Sequence, residues 1–302
     1  MRVQIVSVPY RYDARDEGLG LGPTALIEHG IVAKLRESGI DVLDPTVATL
    51  EPELRVDGPI SLNIGRLGAS TAELVSTARS GGDVVLVFAG DDTATVGVVS
   101  GLQQTHGAGA RIGLVWLDAH GDFNTPETTY SGILAGMPVA ILAGLAGPLW
   151  RGSAGLAAPI PTDRIIVAGI RELDEKEESL LRSTDVKTIT AKDSVNDNSF
   201  RDAINKLATN VDMIYLHVDL DVLDPALVPS SSTPSRNGLE IRQAATLLRI
   251  VLASGKVACV SIAGLNPGAG ERGRRSLRST TELILESVPA WHDEKEDDVV
   301  DA

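Results

Sequence analysis

The feature that most limits the fold is a series of short, mostly apolar, β-branched runs closed by turn residues. They are Val3–Val8, Val84–Phe88, Ile112–Leu117, Arg164–Ala168, Met213–Val218 and Val257–Ile262. A strand with one face in water alternates apolar and polar residues. Runs that do not alternate are covered on both faces, as parallel strands between helical layers are. Helical stretches separate them at Pro23–Ser38 (opened by Gly22-Pro23, closed by Gly39), Thr93–Gln104 and Arg242–Ala253. This alternation predicts an α/β fold with a central parallel β-sheet and helices on both sides. Asp44–Arg66 and Leu145–Asp163 read as long loops. No repeat and no dividing linker is visible, so residues 1–291 are expected to form one domain. Residues 292–302 read as an acidic, flexible tail.

Composition narrows the function. The chain is 43% hydrophobic, enough for a full core and too apolar for a disordered chain. The net charge is −14, and the six acids and one base of the tail leave about −9 on the rest, so no electrostatic footprint for nucleic acid is expected. Cys259 is the single cysteine. That excludes an intrachain disulfide framework and suits the cytoplasm. It sits in an apolar run with nothing electropositive beside it, and reads as core. Met1–Tyr10 turns polar before any long apolar run, so no secretory leader is expected. Ile133–Trp150 holds 18 residues without a charge, but Gly136, Pro138, Gly144, Gly147 and Pro148 interrupt it. A short buried helix starting at Pro138 and ending at Gly144 or Gly147 fits better than a membrane span.

Ligands of open parallel sheets bind beyond the carboxyl ends of the strands. Three runs end there in acidic clusters: Ala89-Gly90-Asp91-Asp92, Asp118-Ala119-His120-Gly121-Asp122 and His217-Val218-Asp219-Leu220-Asp221. An isolated Asp-x-Asp is usually a turn or a cap. In Asp-x-His-x-Asp, alternate residues share one face, so three ligands converge. Carboxylates gathered this way repel one another unless a divalent cation neutralises them, and oxygen ligands with one imidazole favour an ion such as Mn²⁺.

At these residues the chain resembles the ureohydrolase superfamily: arginase, agmatinase and formimidoylglutamase. The resemblance runs from Gly22-Pro23-Thr24 to Asn266-Pro267. Its most specific stretches are Asp118 to Pro126 (DAHGDFNTP), continuing to Thr129 and Ser131-Gly132, and Asp219 to Pro225 (DLDVLDP), followed by Ser232-Thr233-Pro234. It implies a three-layer α/β/α domain with a binuclear manganese centre, in which a metal-activated hydroxide cleaves the C–N bond of a guanidino or related group. By position, Asp92, Asp118, His120, Asp122, Asp219 and Asp221 correspond to metal ligands. Asp118 and Asp219 are the bridging pair, and Asp118, Asp219 and His120 form the expected catalytic set. Asn124, Thr129 and Ser131 match residues that arginases place around a substrate α-carboxylate, and Asp174 matches the carboxylate near the α-amino group. Thr233 joins the expected substrate-binding set. The Asn-Thr-Pro-x-x-Thr-x-Ser run suits an amino-acid substrate better than agmatine, because hydroxyls and an amide bind a carboxylate without adding negative charge.

Three positions depart from the family. Asp92 stands where a histidine ligand is expected, adding a negative charge that would raise the pKa of bound water. Ala135 stands where arginases have a proton-shuttling histidine, whose loss removes general acid–base assistance. Gly264 replaces the glutamate that holds a substrate guanidinium, leaving a buried cation without its main partner. Glu172 and Glu127 are weak substitutes. The leading expectation is therefore a hydrolase for an amino acid carrying a less basic group, such as an N-hydroxyguanidine. The alternative is a weak or inactive relative acting as a metal-binding, ligand-binding or regulatory partner, and ordinary activity on L-arginine comes third. Trp116 reads as packing. His217 reads as a structural histidine, with support for the ligands or proton transfer as the sharper alternative. Arg272–Arg278 reads as a solvated loop, with a subunit contact or salt bridges to the acidic body as the sharper idea. Family members commonly form trimers or hexamers; the short acidic tail is unlike an assembly arm, and a homo-oligomer stays open.

Overall fold

A computed structural model of the chain describes residues 2–196 and 198–291; the acidic tail lies outside the described residues. In chain order the strands are β1 (Arg2–Val8), β2 (Tyr10–Arg11), β3 (Ala14–Arg15), β4 (Asp41–Val42), β5 (Thr46–Val47), β6 (Val84–Ala89), β7 (Ile112–Leu117), β8 (Ile165–Ile170), β9 (Lys187–Thr190), β10 (Met213–Asp219) and β11 (Val257–Ala263). The helices are α1 (Leu21–Glu28), α2 (Ile31–Glu37), α3 (Ile60–Ser80), α4 (Thr95–His106), α5 (Pro138–Leu142), α6 (Pro148–Ala154), α7 (Glu175–Arg182), α8 (Ala191–Asn196), α9 (Ser199–Asn210), α10 (Ile241–Leu252) and α11 (Glu271–Ser287).

One parallel sheet runs β4-β1-β6-β11-β10-β7-β8-β9, with β5 pairing the end of β1, while β2 and β3 form a small antiparallel ribbon. Successive side chains of each strand point to opposite faces, and both faces are dry. Leu86, Phe88, Leu216 and Val218 pack with Leu26, Leu35, Ile204, Leu248 and Ile284 on one side. Val85, Val87, Trp116 and Tyr215 pack with Ile64, Val98, Leu102 and Trp150 on the other. The unalternating runs are therefore the buried strands expected, in a three-layer α/β/α arrangement. Cys259 is fully buried in the second layer, and no helix among the described residues is long and apolar enough to cross a membrane.

Several elements differ from the sequence reading. The helix expected over Pro23–Ser38 is two, α1 and α2, because Gly30 takes a left-handed φ of 79° between them. The stretch expected as a loop over Asp44–Arg66 runs into α3 at Ile60, and that over Leu145–Asp163 contains α6. Pro138 does open a helix, α5, with Gly144 at φ 85° just past its end. Arg272–Arg278 lies in α11, not in a loop, with Arg274 and Arg278 both paired to Glu271. Amphipathic helices such as α11 have few apolar residues, so composition hides them until the face they bury is known.

The order of the strands positions the site. β6, β11, β10, β7 and β8 are neighbours, so the tips of all five open onto one place. Arg171, just past β8, ties the loops there together. Its guanidinium donates to the carbonyls of Gly169 (3.2 Å), Val222 (3.2 Å), Leu223 (3.3 Å), Ser235 (3.1 Å) and Arg236 (3.1 Å), and to that of Asp221. A planar five-donor fork reaches carbonyls in several directions, which a lysine ammonium does not. Arg171→Lys is accordingly expected to lower unfolding stability by about 2 kcal/mol, since bonds to charged groups contribute about 1.5–3 kcal/mol each and lysine recovers only part of them. Urea denaturation of the two proteins measures the difference.

Candidate metal centre

Each acidic cluster emerges where a strand stops. Beyond β6, Asp91 caps a short 3₁₀ turn, Asp92–Ala94, accepting from the Thr93 amide at 3.0 Å and the Tyr12 amide at 2.8 Å. Both of its oxygens are engaged in structure, and burial pushes its carboxyl up to about 6. Asp92 is the residue left facing the site. Beyond β7, Asp118 Oδ1 accepts the His120 amide at 2.7 Å, and Oδ2 accepts the Trp116 indole N–H at 3.0 Å. Trp116 is thus more than the packing expected of it: it steers Asp118. Asp122 takes a left-handed φ of 46°, a conformation Asp tolerates, and turns the chain sharply after the cluster. Beyond β10, Asp219 Oδ1 accepts the Asp221 amide at 2.6 Å. Asp221 accepts from the Ala119 amide at 3.1 Å and the Thr233 hydroxyl at 2.9 Å.

Two sets of donor atoms meet here, each mutually within 4.8 Å: Asp118, His120 and Asp221, and Asp92, Asp118 and Asp122. Asp118 belongs to both. Asp219 joins neither triad but lines the same cavity, of about 320 Å³. Without a cation the electrostatics are extreme. Burial, with the neighbouring carboxylates adding to it, holds Asp122 and Asp219 well above the usual carboxyl range. Burial and Asp118 lift Asp221 to about 7. Burial alone would lower the pKa of His120, but bonds to Asp118 and Asp221 outweigh it and raise the imidazole to about 11. The pull of these two carboxylates marks the place as one that favours positive charge, and a metal held there would need that ring neutral. The oxygen-rich donor set with one imidazole fits a hard or borderline divalent cation, and two triads sharing one carboxylate fit a pair of them.

Around the donors lies the expected substrate shell. Asn124, Ser131, Asp174 and Thr233 line the cavity. Asn124 donates to Asp174 at 3.3 Å and accepts from Thr128 at 2.9 Å. Thr129 is not among the lining residues; its hydroxyl accepts the Gly132 amide at 3.0 Å and shapes the turn that presents Ser131. Thr233 spends its hydroxyl on Asp221. Glu172 lines the cavity, while Glu127 is exposed and does not. Ala135 also lines it. Gly264, at the tip of β11 between the two acidic loops, has φ 91°, and a Cβ there would stand 2.8 Å from Asp219 Oδ1. Any side chain at 264 would press on a carboxylate of the centre.

Three residues of this site escaped the sequence reading. Glu177 is buried against the Asp122 loop, accepting the Phe123 amide at 2.8 Å, and burial lifts it to about 7. Asp174-x-x-Glu177 forms a capping box on α7, a pattern legible in sequence. Arg171 and Tyr12 left no such signal, since the sheet brings them in from distant positions. His217, read as a structural histidine, is fully buried and contacts Asp92, with Nε2 and Oδ1 3.0 Å apart.

Comparison with known proteins agrees with this architecture. The model of the Arginase family matches residues 1–288. The chain is 32% identical to an arginase of Agrobacterium fabrum, over 93% of this chain and 88% of that one. The structure of an arginase from Bacillus caldovelox superposes with a TM-score of 0.83 at 25% identity, covering 94% of this chain and 97% of the other. A formimidoylglutamase from Bacillus subtilis shares the fold with a TM-score of 0.73 at 17% identity, covering 96% and 86%. With a match that spans the fold from its first strand to its last helix, the chain belongs to the Arginase family, within the ureohydrolase superfamily.

Proposed function

We propose that the protein is a metal-dependent hydrolase that cleaves a C–N bond in the guanidino or amidino group of an amino acid. The observation that carries this reading is the pair of donor triads sharing Asp118 at the tips of β6, β7 and β10. Two manganese ions are the proposed occupants, and Asp92, Asp118, His120, Asp122, Asp219 and Asp221 are the residues that would hold them, Asp118 and Asp219 in common. When bound, such ions lower the pKa of water and so supply a nucleophile at neutral pH. The chain's own work is to hold the substrate against that centre. Asn124 and Ser131 offer an amide and a hydroxyl to an α-carboxylate, with Thr129 setting their loop, and Asp174 and Glu177 face the α-amino end.

Of the two remaining departures, Ala135 lines the cavity and Gly264 stands beside Asp219. Neither provides a carboxylate for a cation or an imidazole for a proton. A group of low basicity, such as an N-hydroxyguanidine, loses least in such a site, because burying an unpaired guanidinium costs several kcal/mol. The relatives' name pulls the other way and makes L-arginine the reference substrate. Nothing in the comparisons favours a protein without turnover.

Release of ornithine or glutamate from L-arginine, N-hydroxyarginine and formimidoylglutamate, and of putrescine from agmatine, decides the substrate. N-hydroxyarginine is expected to turn over at least tenfold faster than arginine with Mn²⁺ present; equal rates would sink the less-basic-substrate reading. Asp219→Asn is expected to lose bound metal and turnover together, and full activity in that variant would refute the metal-centred reaction.

Glu177 makes a separate prediction for the metal-free protein. Its folded pKa of about 7 lies above its ordinary 4.5, so the folded state holds that proton more tightly. Its contribution to stability is complete below pH 4.5 and fades as pH rises towards 7. Glu177→Gln should therefore lose less stability than the wild type between those values, as read by thermal unfolding in a chelator.

A further inference from the structure

Asp92 has a buried partner. His217, on β10, is completely buried, and its Nε2 lies 3.0 Å from Asp92 Oδ1 on the far side of β11. Its Nδ1 lies 2.7 Å from Ser261 Oγ, which in turn lies 2.6 Å from the Tyr215 hydroxyl. The ring stacks on Trp116, centroids 3.8 Å apart and planes tilted by 32°. Burial keeps the Tyr215 phenol protonated, since its pKa stands well above the ordinary range. One assignment then gives every group a partner: Tyr215 donates to Ser261, Ser261 donates to Nδ1, and Nε2–H donates to Asp92. The chain of hydroxyls selects the tautomer, and the stack sets the plane of the ring. Trp116, the other half of the stack, donates to Asp118 Oδ2. A single stacked pair thus aims one donor at each of two carboxylates of the same triad.

We propose that His217 is a positioning residue for the metal centre: by donating to Oδ1 of Asp92 it leaves Oδ2 as the ligand atom and makes a carboxylate usable where the family has an imidazole. The inference rests on the metal-centred reading above. A carboxylate in that place has two problems an imidazole lacks. It rotates about its Cβ–Cγ bond between one-oxygen and two-oxygen modes, and it brings an extra negative charge. A hydrogen bond from a locked ring answers both, fixing the rotation and drawing charge from the oxygen.

The test is metal affinity, measured by calorimetry with Mn²⁺ on the full chain, beside thermal unfolding in a chelator. His217→Phe keeps the stack and removes both hydrogen bonds. It is expected to weaken Mn²⁺ binding by about 10–100-fold, the range for lost partners of metal ligands, while His217→Gln, which keeps a donor, recovers most of it. In an Asp92→Ala background, His217→Phe should cost nothing further, because a residue acting through Asp92 has no one left to act on. Ser261→Ala, which keeps the ring and frees its tautomer, should weaken binding several-fold and serves if the His217 variants do not fold. Wild-type affinity in both His217→Phe and Ser261→Ala, or an equal loss with and without Asp92, would overturn the proposal. Metal binding by the wild type with no substrate turned over would instead overturn the hydrolase reading, and these affinities would still decide the role of His217.

Discussion

Seven buried carboxylates around one cavity, Asp91, Asp92, Asp118, Asp122, Glu177, Asp219 and Asp221, are the constraint on which the rest of this structure depends. Unpaired, each ionised group would cost several kcal/mol to bury, and together they repel. The protein answers with amide and indole donors, and with His120 between Asp118 and Asp221. Each of these is a weaker substitute for divalent positive charge. A metal would displace protons from several groups at once, so binding, folding and pH are linked at this centre.

The parallel sheet is what allows such a gathering. Strands that all point the same way deliver all their carboxyl-terminal loops to one edge, and helices on both faces keep that edge from solvent at the sides. Within that frame β11 contributes by what it lacks. Its tip, between the loops of β6 and β10, carries Gly264, and the absence of a side chain lets Asp219 occupy the space. The packing of the centre therefore depends on a position with no side chain.

Much of the fold was legible because burial on both faces leaves a strong signature: Ile112–Leu117 was read with its observed ends, and β6, β10 and β11 each extend one residue further. Helices α3, α7, α9 and α11 lie outside the stretches the sequence marks as helical; in α7, α9 and α11 the apolar face is clear once the fold is known, but it rests on few residues in segments that are polar on average. The six ligand candidates were legible because they sit at fixed offsets beyond apolar runs. Trp116 and His217 were visible as residues but not as donors, since nothing local says which way an indole N–H or an imidazole points.

By itself, the sequence determined the class of fold, the strands that carry the acids, and the residue types available for chemistry, because strand periodicity and spacing are local properties of the chain. Only the tertiary structure decided that His217 meets Asp92, 125 positions away, that Thr233 serves Asp221, and that Gly264 stands against Asp219. Those pairings follow from the order of strands in the sheet, where neighbours in space are distant in sequence, and no local pattern encodes that order.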